Sequence, residues 1–209
     1  AFCRQASPEA QRLMRVMAAA PLLTLPVLRL LLAAELPDLV VPFGALKDLG
    51  TLDRLSPKAE AALRAMLLNV ERLVAALGRQ WLGRKDGRRC HVILPMSPNL
   101  GQFGGDGFYA EGKAGMFAIL QRWRSEGAAW GQGTSLVAAK IGWVRGTGLM
   151  DAHDGIAEAL ERDTGVRTFS TAEMADELLA LCSAESRRQA AEAPIQRFAR
   201  ASSMGVVPR

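Results

Sequence analysis

Three short apolar runs, Leu39 to Phe43, His91 to Met96 and Ser135 to Val144, constrain this chain more than any other feature. None shows the alternation of a strand with one wet face, so each reads as a strand buried on both sides. Long helical patterns separate them. Ser56-Pro57 opens a helix predicted to reach about Leu77, with Ala62, Met66, Leu67, Val70, Leu73, Val74 and Leu77 at three- and four-residue intervals. A second helix is predicted from about Phe108 to Ser125, with Asp106 as its N-terminal cap. Strand, helix, strand, helix, strand with right-handed crossovers defines an α/β fold, a partial doubly wound (Rossmann-like) parallel sheet with helices on both faces.

Flanking segments differ in texture. Residues 1–37 read as a helical N-terminal segment in which Ser7-Pro8-Glu9 starts one helix and Pro21 ends it. Residues 38–183 form the α/β unit. Its last part holds amphipathic helices at Asp151 to Arg162 and Thr171 to Cys182, the second opened by the capping-box pattern Ser170-Thr171-Ala172-Glu173. Val166 to Phe169 between them suits a short edge strand. Residues 184–209 are predicted to continue as a helical tail that frays by Ser202.

Composition narrows the function classes. A net charge of +5 over 209 residues is mild, and the densest basic cluster, Arg84, Lys85, Arg88 and Arg89, sits between a helix and a buried strand. It reads as a solvated loop, so no nucleic-acid partner is expected. Cys3, Cys90 and Cys182 are odd in number and lack metal-ligand spacing, which suits reduced thiols in a cytoplasmic protein with no bound metal. The apolar stretch Pro21 to Leu36 carries Pro26, Arg29 and Glu35, too interrupted to span a membrane.

The candidate chemistry centres on Tyr109, the single tyrosine, and Lys113 four residues later on the same predicted helix face. A free phenol titrates near pH ~10, and a neighbouring ammonium stabilises the phenolate and turns the group into a workable acid. By itself Tyr-x-x-x-Lys is a weak motif. Ser97 follows a buried strand at the end where open α/β sheets bind ligands. It is either a turn residue before Pro98 or a hydroxyl that orients a substrate carbonyl. Asn69 lies on the apolar long helix, either as a satisfied core amide or as the holder of a proton-relay water.

Asn69, Ser97, Tyr109 and Lys113 stand in the order and spacing of the catalytic tetrad of short-chain dehydrogenases/reductases. The runs Val92 to Asn99, Phe103 to Tyr109 and Ile141 to Met150, with Val41 to Gly44 and Gly165 to Ser170, resemble more narrowly the ketoreductase of fungal and actinobacterial type I fatty acid synthases. That resemblance implies an enzyme, a 3-oxoacyl-[acyl-carrier-protein] reductase that uses NADPH. It casts Tyr109 as proton donor, Lys113 as the group that lowers the phenol pKa and holds the nicotinamide ribose, Ser97 as carbonyl guide and Asn69 as relay support. Gly142 and Thr147 would lie along the nicotinamide. Acyl-carrier protein is the implied partner, with other synthase domains or a second copy of the chain beside it.

Such reductases open with a strand, a glycine-rich turn and a helix that receives the pyrophosphate. No Gly-x-Gly-x-x-Gly or Gly-x-x-x-Gly-x-Gly turn precedes Asn69. Residues 1–37 match nothing in the reductase, and the expectation is an N-terminally truncated domain with weak NADPH binding and impaired turnover. A noncatalytic scaffold or interaction remnant of a fatty acid synthase is the alternative.

Overall fold

The computed structural model describes residues 36–101, 104–147 and 151–198. The helices expected before residue 36 and the fraying end beyond residue 198 lie outside these. In chain order the elements are β1 (Leu39–Val40), α1 (Ala59–Leu63), a π-helical turn (Arg64–Leu68), α2 (Asn69–Leu82), β2 (Cys90–Met96), α3 (Tyr109–Ser125), β3 (Thr134–Lys140), α4 (Ala157–Thr164), α5 (Thr171–Ala180), α6 (Ala184–Glu192) and β4 (Ile195–Phe198). All strands are parallel, in the order β1-β2-β3-β4. The α/β class read from the apolar runs holds.

Successive side chains of a strand point to opposite faces, and β2 and β3 are buried on both. Val92, Leu94, Met96, Leu136 and Ala138 meet Val70, Leu73, Val74 and Leu77 of α2 and Met116, Ile119 and Leu120 of α3. On the other face Ile93, Val137 and Ala139 meet Leu178 of α5 and Ala190 of α6. Gly78 of α2 is required by a close approach, because a Cβ there would stand 2.3 Å from the carbonyl oxygen of Trp130. Lacking a side chain, it lets the helix backbone rest on the loop that feeds β3.

Several boundaries differ from the sequence reading. β1 stops at Val40, because the chain turns at once: the Phe43 N–H donates to the Val41 carbonyl at 3.0 Å, and Pro42 has no N–H for a ladder. β3 ends at Lys140 rather than Val144. The expected edge strand at Val166 to Phe169 is a single bridge between Val144 and Phe169. The first part of the helix expected from Asp151 is a 3₁₀ segment, Asp151–Ile156.

The tail is corrected most. Instead of a helix running to Ser202, α6 ends at Glu192, and Ile195–Phe198 pairs with β3 through Val137↔Ile195. Pro194 explains the break, since proline forces the residue before it out of the helical region, and Ala193 is extended at φ −156° and ψ 143°. The capping box at Ser170 forms as read, with Glu173 N–H donating to Ser170 Oγ at 3.2 Å and Ser170 N–H to Glu173 Oε2 at 2.8 Å. The basic cluster is engaged locally. Arg84 pairs with Asp86 and stacks over Trp81, while Arg89 donates to the Ala191 carbonyl. Among the described residues no helix is long and apolar enough to cross a membrane.

Candidate active site

The carboxyl end of β2 gathers three of the candidate residues, Ser97, Tyr109 and Lys113. Ser97 follows the last strand residue and is buried. Tyr109 is the first residue of α3, and one turn later Lys113 is buried at 5% exposure. The Lys113 Nζ donates to the Pro95 carbonyl of β2 at 2.8 Å and lies 5.6 Å from the centre of the Tyr109 ring. One helix turn and one strand end thus converge on the same point.

The electrostatics differ from the sequence reading. Burial raises the Tyr109 phenol above its ordinary value, a hydrogen bond with Ser97 pulls it down, and the Asp106 carboxylate pushes it up again. The ammonium faces the ring and a backbone carbonyl. Desolvation therefore outweighs the lowering expected of Lys113. Burial lowers Lys113 itself to about 8, leaving a cation that releases its proton in mildly alkaline solution.

Asn69 begins α2 directly after the π-helical turn, and its Oδ1 accepts from Arg72 Nη1 at 3.4 Å. Such turns often mark functional positions. This one packs on a glycine face of α3: a Cβ on Gly112 would lie 3.2 Å from Met66 Cβ, and one on Gly115 would lie 2.6 Å from Leu67 Cδ2. That contact seats the helix bearing Asn69 against the helix bearing Tyr109 and Lys113. Gly142 and Thr147 lie in the segment after β3, at the same end of the sheet as Ser97. There the Ile141 N–H donates to the Met96 carbonyl at 2.9 Å and Thr147 Oγ1 donates to the Val144 carbonyl at 3.0 Å. Asp154 holds this segment, accepting from Trp143 Nε1 at 3.2 Å and the Gly146 N–H at 2.7 Å.

No family model matches the chain. Over 145 residues it is 46% identical to the fatty acid synthase subunit alpha of Gibberella zeae, a stretch covering 69% of this chain and 9% of that protein. The corresponding subunit of Saccharomyces cerevisiae is 42% identical over 160 residues, 76% of this chain and 8% of that protein. The chain is thus similar to one segment of the alpha subunit and spans 8–9% of the length of these two relatives. Its fold is that of short-chain dehydrogenases/reductases. A 3-oxoacyl-[acyl-carrier protein] reductase from Brucella melitensis, solved in complex with NAD, superimposes with a TM-score of 0.67 at 13% identity, over 88% of this chain and 74% of that one.

The sequence reading missed the residues that brace this site. Asp106 does not cap α3; its carboxylate accepts from Asn99 Nδ2 at 2.8 Å, while its backbone carbonyl accepts the Tyr109 N–H at 3.0 Å. Asp48, 6% exposed, lies against Gly107 and accepts from Ser56 Oγ. The Asn99 role had a visible signal, an Asn directly after Ser97-Pro98, which favours a side-chain-closed turn. Asp48 had none, because its partner Gly107 is remote in sequence.

For a nicotinamide cofactor the fit is uneven. A buried cation beside a phenol, under the open end of β2 and β3, suits the nicotinamide ribose. The glycine loop at the start of α3 suits a pyrophosphate poorly, because Asp106 and the buried Asp48 would oppose its charge.

Proposed function

We propose that this chain carries the proton-donor half of a ketoreductase site acting on a 3-oxoacyl thioester of acyl-carrier protein, giving the 3-hydroxyacyl product. The observation that carries the reading is the convergence of the Tyr109 phenol, the Ser97 hydroxyl and the buried Lys113 ammonium at the carboxyl end of β2. NADPH supplies the hydride when bound. Tyr109 holds the proton destined for the ketone oxygen, Ser97 donates to that oxygen and orients it, and Lys113 takes up the ribose and returns a proton to the phenol. Asn69 supports that return from the head of α2. Gly142 and Thr147 line the nicotinamide side. The resemblance and the free thiols of Cys90 and Cys182 suit a cytoplasmic enzyme that works beside other synthase domains.

NADPH binding by the isolated chain is expected to be weak, because no glycine-rich phosphate turn precedes Asn69. The same feature favours the second reading, a noncatalytic scaffold of a fatty acid synthase. Fluorescence titration with NADPH, followed by mass spectrometry of a 3-oxoacyl thioester incubated with excess cofactor, separates the two. The reductase reading expects weak binding and detectable 3-hydroxyacyl product. Absence of product at every NADPH concentration hands the case to the scaffold, and micromolar binding overturns the expected weakness.

A further inference from the structure

Ser97 and Tyr109 approach the site from different directions, one at the end of β2 and one at the start of α3. The chain between them includes Gly101, Gly104, Gly105 and Gly107, all with positive φ, at 94°, 60°, 73° and 56°. Backbone of this kind has much freedom to lose on ordering, so something must hold its two ends at a fixed separation.

Asn99 spans that gap with three of its atoms. Its backbone N–H donates to Ser97 Oγ at 3.1 Å, its Oδ1 accepts the Gly101 N–H at 3.0 Å, and its Nδ2 donates to Asp106 Oδ2 at 2.8 Å. Asp106 carries the linkage onward through its carbonyl to the Tyr109 N–H. The first bond also has a directional consequence. A serine hydroxyl has one proton and two lone pairs. With a lone pair occupied by Asn99, the Ser97 proton is free to point at the phenol or at a substrate carbonyl.

We propose that Asn99 and Asp106 form a clasp, a pair of positioning residues that fixes Ser97 relative to Tyr109 and sets the charge the phenol experiences. This rests on the reading of Tyr109 as the proton donor. Around the phenol stand Lys113 from α3, Asp106 from the glycine loop and the Ser97 hydroxyl just past β2, while Asp48 from the loop after β1 lies against nearby Gly107. Burial does most to raise the phenol and the Asp106 carboxylate adds a smaller push, so removing that charge should lower it.

Because Tyr109 is the only tyrosine in the chain, its phenolate absorbance can be titrated without cofactor or substrate. Asp106→Asn keeps an acceptor for Asn99 and deletes the charge. The phenol midpoint should move to lower pH while amide hydrogen exchange across Gly104–Tyr109 stays as in wild type. Asn99→Asp sets two carboxylates face to face and should speed that exchange by on the order of tenfold or more, the cost of losing a charge-assisted hydrogen bond. Asn99→Asp combined with Asp106→Asn exchanges donor and acceptor, and should bring the exchange back towards the wild-type rate. An unmoved midpoint in Asp106→Asn, or a double variant that exchanges as fast as Asn99→Asp, overturns the clasp. If Asn99→Asp fails to fold, the Asp106→Asn titration decides alone. Shifts as expected in a chain that makes no 3-hydroxyacyl product would leave the clasp standing and remove the reductase reading; product without shifts would do the reverse.

Discussion

The two faces of the sheet are built differently. Towards α2 and α3 lies a deep apolar layer in which Leu77, Val92, Leu94, Met116 and Leu136 are wholly inaccessible, closed at the rim by Trp81 and Trp130. Towards α5 and α6 the layer is thinner. Ile93, Val137, Ala139 and Ala190 are its buried members, partly exposed Leu178, Leu181 and Ile195 cover them, and His91 sits between Ser135 Oγ at 2.8 Å and the Leu181 carbonyl at 2.9 Å. The face that carries Tyr109 and Lys113 is the more deeply packed one. Dense packing there offsets the cost of holding an ammonium out of water, and the opposite face has no such burden.

Truncation tests this contrast most strongly. Leu77→Ala should cost about 2–5 kcal/mol, as expected where a fully buried leucine leaves a cavity. Leu178→Ala on the thin face should stay below roughly 2 kcal/mol, because solvent already reaches that side chain. Urea denaturation of both variants measures the difference, and equal losses would erase the distinction between faces.

Lys113→Met sharpens it from the other side. Burial lowers the Lys113 pKa from 10.5 to about 8, so the unfolded chain binds the proton more tightly between those values. Wild-type stability should therefore rise as pH climbs from about 8 towards 10.5, whereas Lys113→Met should lack that rise. At neutral pH the variant gains up to about 3 kcal/mol, less the cost of leaving the Pro95 carbonyl without its donor. Denaturation curves taken across that range give the sign directly.

The smallest effect belongs to the thin face. Burial holds the His91 imidazole below its ordinary value of 6.5, so its contribution is complete above that pH and is lost as acid protonates the unfolded chain in preference. Thermal unfolding between neutral and mildly acidic pH should show a decline that His91→Gln reduces.

The same contrast explains what was legible in the sequence. β2 and β3 declared themselves because both faces are buried, and the helix at Ser56 declared itself by its apolar spacing. The π-helical turn was hidden, since Met66 and Val70 keep helical spacing through it; the glycines it packs on, Gly112 and Gly115 of α3, lie far along the chain. β4 was masked by the alanine-rich, polar helix before it, although Pro194 marked the break. In the site, residue types and order were readable, but the influences on them were not. That the Lys113 ammonium turns to the Pro95 carbonyl, and that Asp106 serves Asn99 instead of capping α3, depends on contacts made only on folding.

In the proposed reaction the phenol at the head of α3 is the source of the proton. Comparing wild type with Tyr109→Phe for conversion of a 3-oxoacyl thioester at saturating NADPH tests it most directly. A fall of roughly 10²–10⁴-fold, with the unfolding midpoint nearly unchanged, is the result expected for loss of a general acid. Product formed by the phenylalanine variant at the wild-type rate would contradict it.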